Sequence, residues 1–442
     1  MKWWIGSLGL LLIGFVFKLG LLVYAIYILV GILLVSRYLS RTWINGAFST
    51  RHCSHHTAEL TQKVTVEVTI TNQGSLTIPW LLCEDFLSSD GTDPNVRPFS
   101  IQGARMKLLS MKANKTATVR YTLTCLRRGY YQIGPMVLET GDLFGLHRRF
   151  RVSAEPDFLM VLPRVVLALN YDLASPRPMG EIRVTHRLYE DPTLITGIKS
   201  YEPGQPLNRI HWRATARTGQ LQSKVFQPSR VAGATLLLDF NKPRYSGSGA
   251  AYREDLAIVV VASLAHAFFQ MGQRFGLLTN GRDAAERIKT EGWQSSFKNR
   301  QLARAEAEKN TETKTIEPNH LGLGRGESHF GAVLELLARV ELAEDFPLSH
   351  LIATFSNLIS RNATVIAVIS GVDEETSATL GELRQQGYMV VVVFVAFDEP
   401  QLNDWGEPPD WFLFLSRNGI PFYRVDDDKS LRELCSTLLV KI

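Results

Sequence analysis

At 442 residues, with 45% hydrophobic and 21% charged side chains, the chain has the length for two or three domains and the composition of a globular protein with an anchor. A net charge of +5 without a dense basic stripe argues against a nucleic-acid binder. The four cysteines (Cys53, Cys83, Cys125 and Cys435) lack C-x-x-C spacing, which argues against a structural zinc site or a disulfide framework and favours reduced, cytosolic thiols.

Trp3 to Val35 is almost continuously apolar, interrupted only by Lys18. Crossing a hydrocarbon core of roughly 30 Å takes about 20 apolar residues. The run is too long for one upright helix and slightly short for two. Lys18-Leu19-Gly20 is therefore read as the turn of a transmembrane helical hairpin over residues 1–36, with arms Trp3–Phe17 and Leu21–Ser36. Lys2 on one side and Arg37, Arg41 and Arg51 on the other place both ends in the cytoplasm. A single span with the bulk of the chain outside is the alternative. Residues 37–58 read as a juxtamembrane linker. Its Arg51-His52-Cys53-Ser54-His55-His56 stretch has metal-binding atom types, but neighbours in sequence rarely converge on one ion.

From Glu59 the hydrophobic period becomes two: Val64, Val66, Val68 and Ile70 alternate with polar residues ahead of a Thr71-Asn72-Gln73-Gly74 turn. Similar strands are expected at Arg105–Met111, Thr116–Thr124, Tyr130–Ile133, Met136–Glu139 and Phe158–Leu169. Short alternating strands between turns predict an all-β antiparallel sandwich over 59–170. A connector, 171–232, follows.

The connector holds Tyr201 to Phe226, a stretch at once polar, basic and aromatic. Pro203-Gly204 signals a turn. Arg209, Arg213, Arg217 and Lys224 surround the apolar patch Ile210-His211-Trp212, and Glu202 is the only carboxylate there. Two readings fit. In one, Tyr201, Pro203, Gly204, Arg209, His211, Trp212, Arg213 and Arg217 form a partner-docking surface, since Arg and Trp concentrate at interaction hot spots. In the other they form an interdomain clasp with a buried Trp212 ring.

These residues also carry a resemblance. Gly197-Ile-Lys-Ser-Tyr201-Glu-Pro203-Gly204 and Arg209-Ile-His211-Trp212-Arg213-Ala-Thr-Ala-Arg217-Thr-Gly219-Gln-Leu221 resemble the signature of the bacterial domain-of-unknown-function family 58. Arg127-Arg-Gly129-Tyr130-Tyr131 with Gly134-Pro135, and Asp142-Leu-Phe144-Gly145-Leu146, resemble its upstream motifs. The resemblance implies a membrane anchor, a β-sandwich, a von Willebrand factor type A-like domain and an association with MoxR-type AAA+ ATPases. The family usually has Asp after the Pro-Gly, where this chain has Gln205. No catalytic activity is implied.

After the connector, apolar strands at Ala234–Leu238, Phe275–Thr279, Thr364–Ile369 and Met389–Phe397 alternate with helices at Asp255–Gln270, Ser328–Val340, Leu348–Ile359 and Glu374–Gln386. This alternation predicts a doubly wound, Rossmann-like α/β domain over 233–442, with a polar insertion at 292–326. The type A-like resemblance implies a magnesium site on an Asp-x-Ser-x-Ser loop. Here that loop reads Asp239-Phe240-Asn241-Lys242-Pro243, a degenerate site around Asp239 and Asn241, so no metal and no other cofactor is expected. The chain has no Gly-x-Ser-x-Gly elbow and no His-Glu-x-x-His, and Gly322–Gly326 lacks the Lys of a phosphate loop. The expectation is a non-enzymatic, membrane-anchored scaffold or adaptor for protein partners. A metal-dependent adhesion-type module and an uncharacterised enzyme are the alternatives.

Overall fold

The structure is a computed structural model that describes residues 20–87, 97–142, 145, 147–167, 189–201, 210–229, 233–247, 249–291, 319–344, 346–360, 363–395 and 410–441. The described residues up to Pro163 form one compact unit, with which the helix Ala284–Glu291 groups, and the others from Arg164 onward form a second.

The first unit opens with helix α1, Gly20–Gly46, which is long and apolar enough to cross a membrane. Among the described residues it is the only such helix. The other hairpin arm expected from the sequence, Trp3–Phe17, lies outside them. One correction concerns residues 37–58, expected to be a linker. The helix runs on to Gly46, and Trp43, Ile44 and Ala47 belong to the core of the β-structure that follows. At Gly46 the chain must turn close to its neighbours, because a Cβ there would lie 3.1 Å from the Gly74 backbone.

Ten strands follow: β1 Ala47–Cys53, β2 Thr57–Ala58, β3 Lys63–Asn72, β4 Ile78–Leu87, β5 Phe99–Gly103, β6 Met106–Met111, β7 Thr116–Cys125, β8 Gly129–Gly141, β9 Arg148–Ala154 and β10 Asp157–Val161. One antiparallel sheet has the order β1-β3-β7-β5. The other has the order β2-β10-β8-β4-β6, with β9 also on β8, and only its β2/β10 pair is parallel. Period two decides which residues pack. Val64, Val66, Val68 and Ile70 on β3 are all fully buried, each contributing roughly 1.5–3 kcal/mol relative to exposure. Residues of both sheets share that core.

A second correction follows from β1. Arg51 is buried against Asp85, donating from Nε to Oδ2 at 3.2 Å and from Nη2 to Oδ1. The Tyr121 hydroxyl donates to Asp85 Oδ2 at 2.8 Å, and Arg51 Nη1 donates to the Glu155 carbonyl at 2.6 Å. Arg51 is thus an internal ion-pair partner, not a flanking surface charge. A side chain at Gly134 would run into its guanidinium.

The second unit contains β11 Tyr189–Ser200, helix α2 Trp212–Thr218 and β12 Gln222–Ser229, with β11 and β12 paired antiparallel. Next come β13 Ala234–Leu238, helix α3 Ala250–Gln270, β14 Phe275–Thr279, β15 Arg282–Asp283, β16 Asn319–Gly324, helix α4 Glu327–Arg339, β17 Val340–Glu341 and helix α5 Leu348–Phe355. They are followed by β18 Thr364–Ile369, helix α6 Glu374–Gln385, β19 Met389–Val395, helix α7 Asp410–Arg417, β20 Phe422–Val425 and helix α8 Asp428–Lys441. The main sheet has the order β16-β14-β13-β18-β19-β20. All its pairs are parallel except β14/β16. This corrects the expected insertion, since Asn319–Gly324 is an edge strand and Glu327 begins a helix. Residues 292–318 lie outside the described ones.

Side chains of β13 alternate between two cores. Ala234, Leu236 and Leu238 pack with residues of α3, α4 and α8, while Leu237 packs with residues of α5, α6 and α7. A central strand is buried on both faces and so favours apolar residues throughout; in Ala-Thr-Leu-Leu-Leu every position is buried, and Thr235 alone carries a polar side-chain atom.

Candidate functional site

Two places in the second unit gather the residues singled out from the sequence. The first is the carboxyl end of the parallel strands. Asp239 follows β13, is buried, and accepts from Asn280 Nδ2 at 2.8 Å. Asn280, just past β14, also takes the Phe240 amide on Oδ1 at 2.6 Å and donates to the Phe346 carbonyl at 2.7 Å. One buried amide therefore ties three chain segments together. The Asp239 main chain is held as well, its amide donating to the Val368 carbonyl at 3.0 Å and its carbonyl accepting from the Tyr245 hydroxyl at 2.8 Å.

The charges around this edge are settled internally. Arg244 pairs with Asp373, which caps α6 by accepting from the Thr376 amide at 2.8 Å. Burial pushes the Asp239 carboxyl up to about 6, against the opposing pull of Asn280 and of the Arg244 charge. For Asp373 the upward push of burial is outweighed by hydrogen bonding from Thr376 and by Arg244, and its carboxyl sits below the usual range. Asn241 Oδ1 and Ser370 Oγ are buried without a hydrogen-bond partner. Among the described residues, no cluster of three or more His, Cys, Asp or Glu side chains is placed to hold a metal ion.

The second place is α2 and its two strands. His211 caps the helix, its Nδ1 accepting from the Ala214 amide at 3.1 Å. Gly219 ends it at φ 68°, the left-handed conformation that glycine adopts without a Cβ clash, and its amide donates to the Thr215 carbonyl. The helix is tied to β12 on one side. The His211 amide donates to the Gln222 carbonyl at 2.8 Å, the Gln222 amide donates to Thr215 Oγ1 at 3.0 Å, and Ile210, itself buried, bridges Ser223.

The other side is open. Trp212 is 67% exposed, and Arg213, Ala216 and Arg217 are exposed with it. Residues four apart stack along one helix face, so Trp212 with Ala216 and Arg213 with Arg217 make two adjoining rows. No residue of α2 is buried. Among the described residues, neither Arg213 nor Arg217 has an ion-pair partner. Ile198 and Leu221 are also about half exposed, at 49% and 46%. The clasp alternative calls for a Trp212 ring buried between the two units; within its own unit the ring is exposed. Of the other expected site residues, Tyr201 is half-buried with its amide donating to the Leu221 carbonyl at 2.9 Å, whereas Pro203, Gly204 and Arg209 lie outside the described residues. Sequence reasoning missed Asn280. Its one signal is a lone amide directly after the strand Phe-Gly-Leu-Leu-Thr.

Residues 197–321 match the family described as "Protein of unknown function DUF58". The chain is 25% identical over 220 residues to the uncharacterized protein YeaD of Bacillus subtilis, covering 49% of this chain. It spans about half the length of that curated relative, 52%. Among solved structures, the CARDB domain of the PF1109 protein from Pyrococcus furiosus aligns at 9% identity and TM-score 0.19, over 26% of this chain and 91% of that one. A chain from the complex of zinc 2-glycoprotein and prolactin inducible protein from human seminal plasma aligns at 12% identity and TM-score 0.19, over 26% and 93%. Likenesses this slight carry no argument about fold or function.

Proposed function

Residues 197–321 place this chain in the DUF58 family, and on that premise we propose that it is a non-enzymatic, membrane-anchored adaptor that docks a protein partner through the open face of α2. The observation that carries this reading is the exposed Trp212 beside Arg213 and Arg217, neither of them paired among the described residues. Exposing an indole to water is unfavourable unless something covers it, and Trp with Arg dominates measured interface energetics. The partner's face would present carboxylates to the two guanidinium forks. A MoxR-type AAA+ ATPase is the partner that the family resemblance suggests.

In this reading α1 spans the membrane, the two sheets of the first unit make an antiparallel sandwich, and the second unit is a doubly wound, von Willebrand factor type A-like domain. Arg37 and Arg41, at the end of the helix that leads into the folded units, favour a cytoplasmic body. A reporter fused after Ile442 should then be active in the cytoplasm, and periplasmic activity would reverse the topology.

The strand-end site does not fit the divalent cation of type A domains. Arg244 already supplies a positive charge to Asp373 and Asp239, Asn280 occupies one Asp239 oxygen, and Pro243 has no side-chain ligand atom to offer. The adaptor is therefore metal-independent.

The test is a paired measurement on Trp212→Ala. An exposed ring can be removed with little loss of stability, so the melting temperature should stay within the range of ordinary surface substitutions, about 0.5 kcal/mol. Capture of the purified MoxR-type ATPase should fall at least tenfold. Unchanged capture by a stably folded variant would refute the docking face.

A further inference from the structure

The first unit holds a set of cations beside its apolar helix that protein docking does not use. Residues 20–36 of α1 carry no charge. At about 1.5 Å per residue they cover about 25 Å, close to a hydrocarbon core of about 30 Å. Arg37 then stands at the edge of that core, with Arg41 and Trp43 in the headgroup layer.

The β-structure reaches the same level. A cavity of about 250 Å³ is lined by Gly31, Ile32, Val35, Ser36, Leu39 and Trp43 on one face of α1 and by Asp142 just beyond β8. Asp142 Oδ1 accepts the His147 amide at 2.6 Å, and Gly141 and Thr140 pair with Arg148 and Arg149. The start of β9 therefore lies at the depth of helix residues 31–43. Farther along β9, Arg151 Nη1 donates to the carbonyls of Asn45 and Ala47 at 3.2 and 3.4 Å. The strand thus runs beside the end of the helix, with Arg148 at the membrane end.

Arg37, Arg41 and Arg148 are exposed and Arg149 is half-buried. Arg148 has Glu139 at 3.7 Å, with 71% of the arginine side chain open to solvent, so the pair is weak and exchangeable. Among the described residues no carboxylate pairs with Arg37, Arg41 or Arg149. Asp142, the one acid in the cavity lining, already receives the His147 amide. The rest of the lining is apolar apart from the Ser36 hydroxyl and the Trp43 indole N–H, both buried without a hydrogen-bond partner.

We propose that this groove and its arginines bind an anionic phospholipid of the surrounding bilayer. Part of one acyl chain lies along Gly31, Ile32, Val35 and Leu39, and the guanidinium groups of Arg148 and Arg149 take the headgroup phosphate. Basic groups at the level of the headgroups attract anionic lipid, and a fixed apolar groove adds selectivity that diffuse charge lacks. The inference rests on the reading of α1 as a membrane span.

The full chain would be reconstituted into phosphatidylcholine vesicles with and without phosphatidylglycerol, extracted in detergent, and its retained lipid measured by mass spectrometry. The wild type should retain phosphatidylglycerol selectively. The double variant Arg148→Gln/Arg149→Gln should lose that selectivity on the order of 30-fold, from about 1 kcal/mol for each basic residue near an anionic surface. Gly31 has open space where its Cβ would stand, so Gly31→Leu fills the groove and should abolish retention with every charge intact, which keeps the proposal testable should the double variant fail to fold. Resistance to carbonate extraction from pure phosphatidylcholine should be the same for all three. A chain released by carbonate would overturn the membrane span and the lipid site with it. A chain that resists carbonate yet retains no phosphatidylglycerol, or retains it equally in both variants, would overturn the lipid site alone.

Discussion

The edge of the parallel sheet and the open face of α2 belong to the same unit and are both rich in polar and aromatic groups, yet they treat those groups in opposite ways. At the sheet edge Asp239 is buried, Asn280 satisfies it, and Arg244 is spent on Asp373. On α2 the indole and both guanidinium groups face water, and only the inner side of the helix is tied down. Internal pairing signals a structural role, because a group already satisfied by its own chain has little left for a partner. Exposed groups on a well-capped helix keep their donors and apolar surface free, as the proposed docking face requires.

The comparison breaks most visibly at Asn280. Replacing it by Ala leaves the Phe240 amide, the Asp239 carboxyl and the Phe346 carbonyl without their partner, and should cost on the order of 3 kcal/mol. Urea unfolding would measure it. A loss below about 0.5 kcal/mol would mean that the network is not structural.

A smaller effect follows from pH. The Asp239 carboxyl is raised to about 6 in the folded state, above the roughly 3.9 of an unfolded chain. Between those values the folded state holds the extra proton. The stability this confers is fully present below about pH 4 and is lost as pH rises through about 6. Asp239→Asn, which keeps an oxygen for Asn280, should remove that slope and leave the protein at least as stable at pH 7. The difference in melting temperature between the two proteins across pH 4–7 checks it, and a constant difference would contradict the assignment.

The smallest expected effect is none. A ligand that binds only the folded state must raise its melting temperature by mass action. With Arg244 already between the acids, millimolar magnesium or manganese should produce no shift. A shift abolished by Asp239→Ala would restore the metal-dependent alternative.

Much of this fold is legible in the residues. The alternation of Val64, Val66, Val68 and Ile70 marks β3, and the unbroken Ala234–Leu238 run marks a strand buried on both faces. The end of α1 was not legible. Arg37 and Arg41 look like a membrane boundary, and nothing local says that the helix continues until Trp43 and Ile44 meet a core assembled from distant strands. Arg51 looks like a flanking charge for the same reason, since its partner Asp85 lies 34 residues away. Asn319–Gly324 is too glycine-rich to read as a strand and becomes one by pairing antiparallel with β14. The α2 face was visible as a basic and aromatic cluster, but its exposure depends on which side packs against β12.

The most direct test of the docking account places a photo-crosslinking amino acid at position 212 in the full chain, in cells, with a control at buried Ser223 on the neighbouring strand. The account predicts a crosslink to one AAA+ ATPase from position 212 and none from position 223, and the crosslink should vanish when Arg213 and Arg217 are both changed to Glu. No crosslink from position 212 in a normally folded, membrane-inserted protein, or equal crosslinks from both positions, would contradict it.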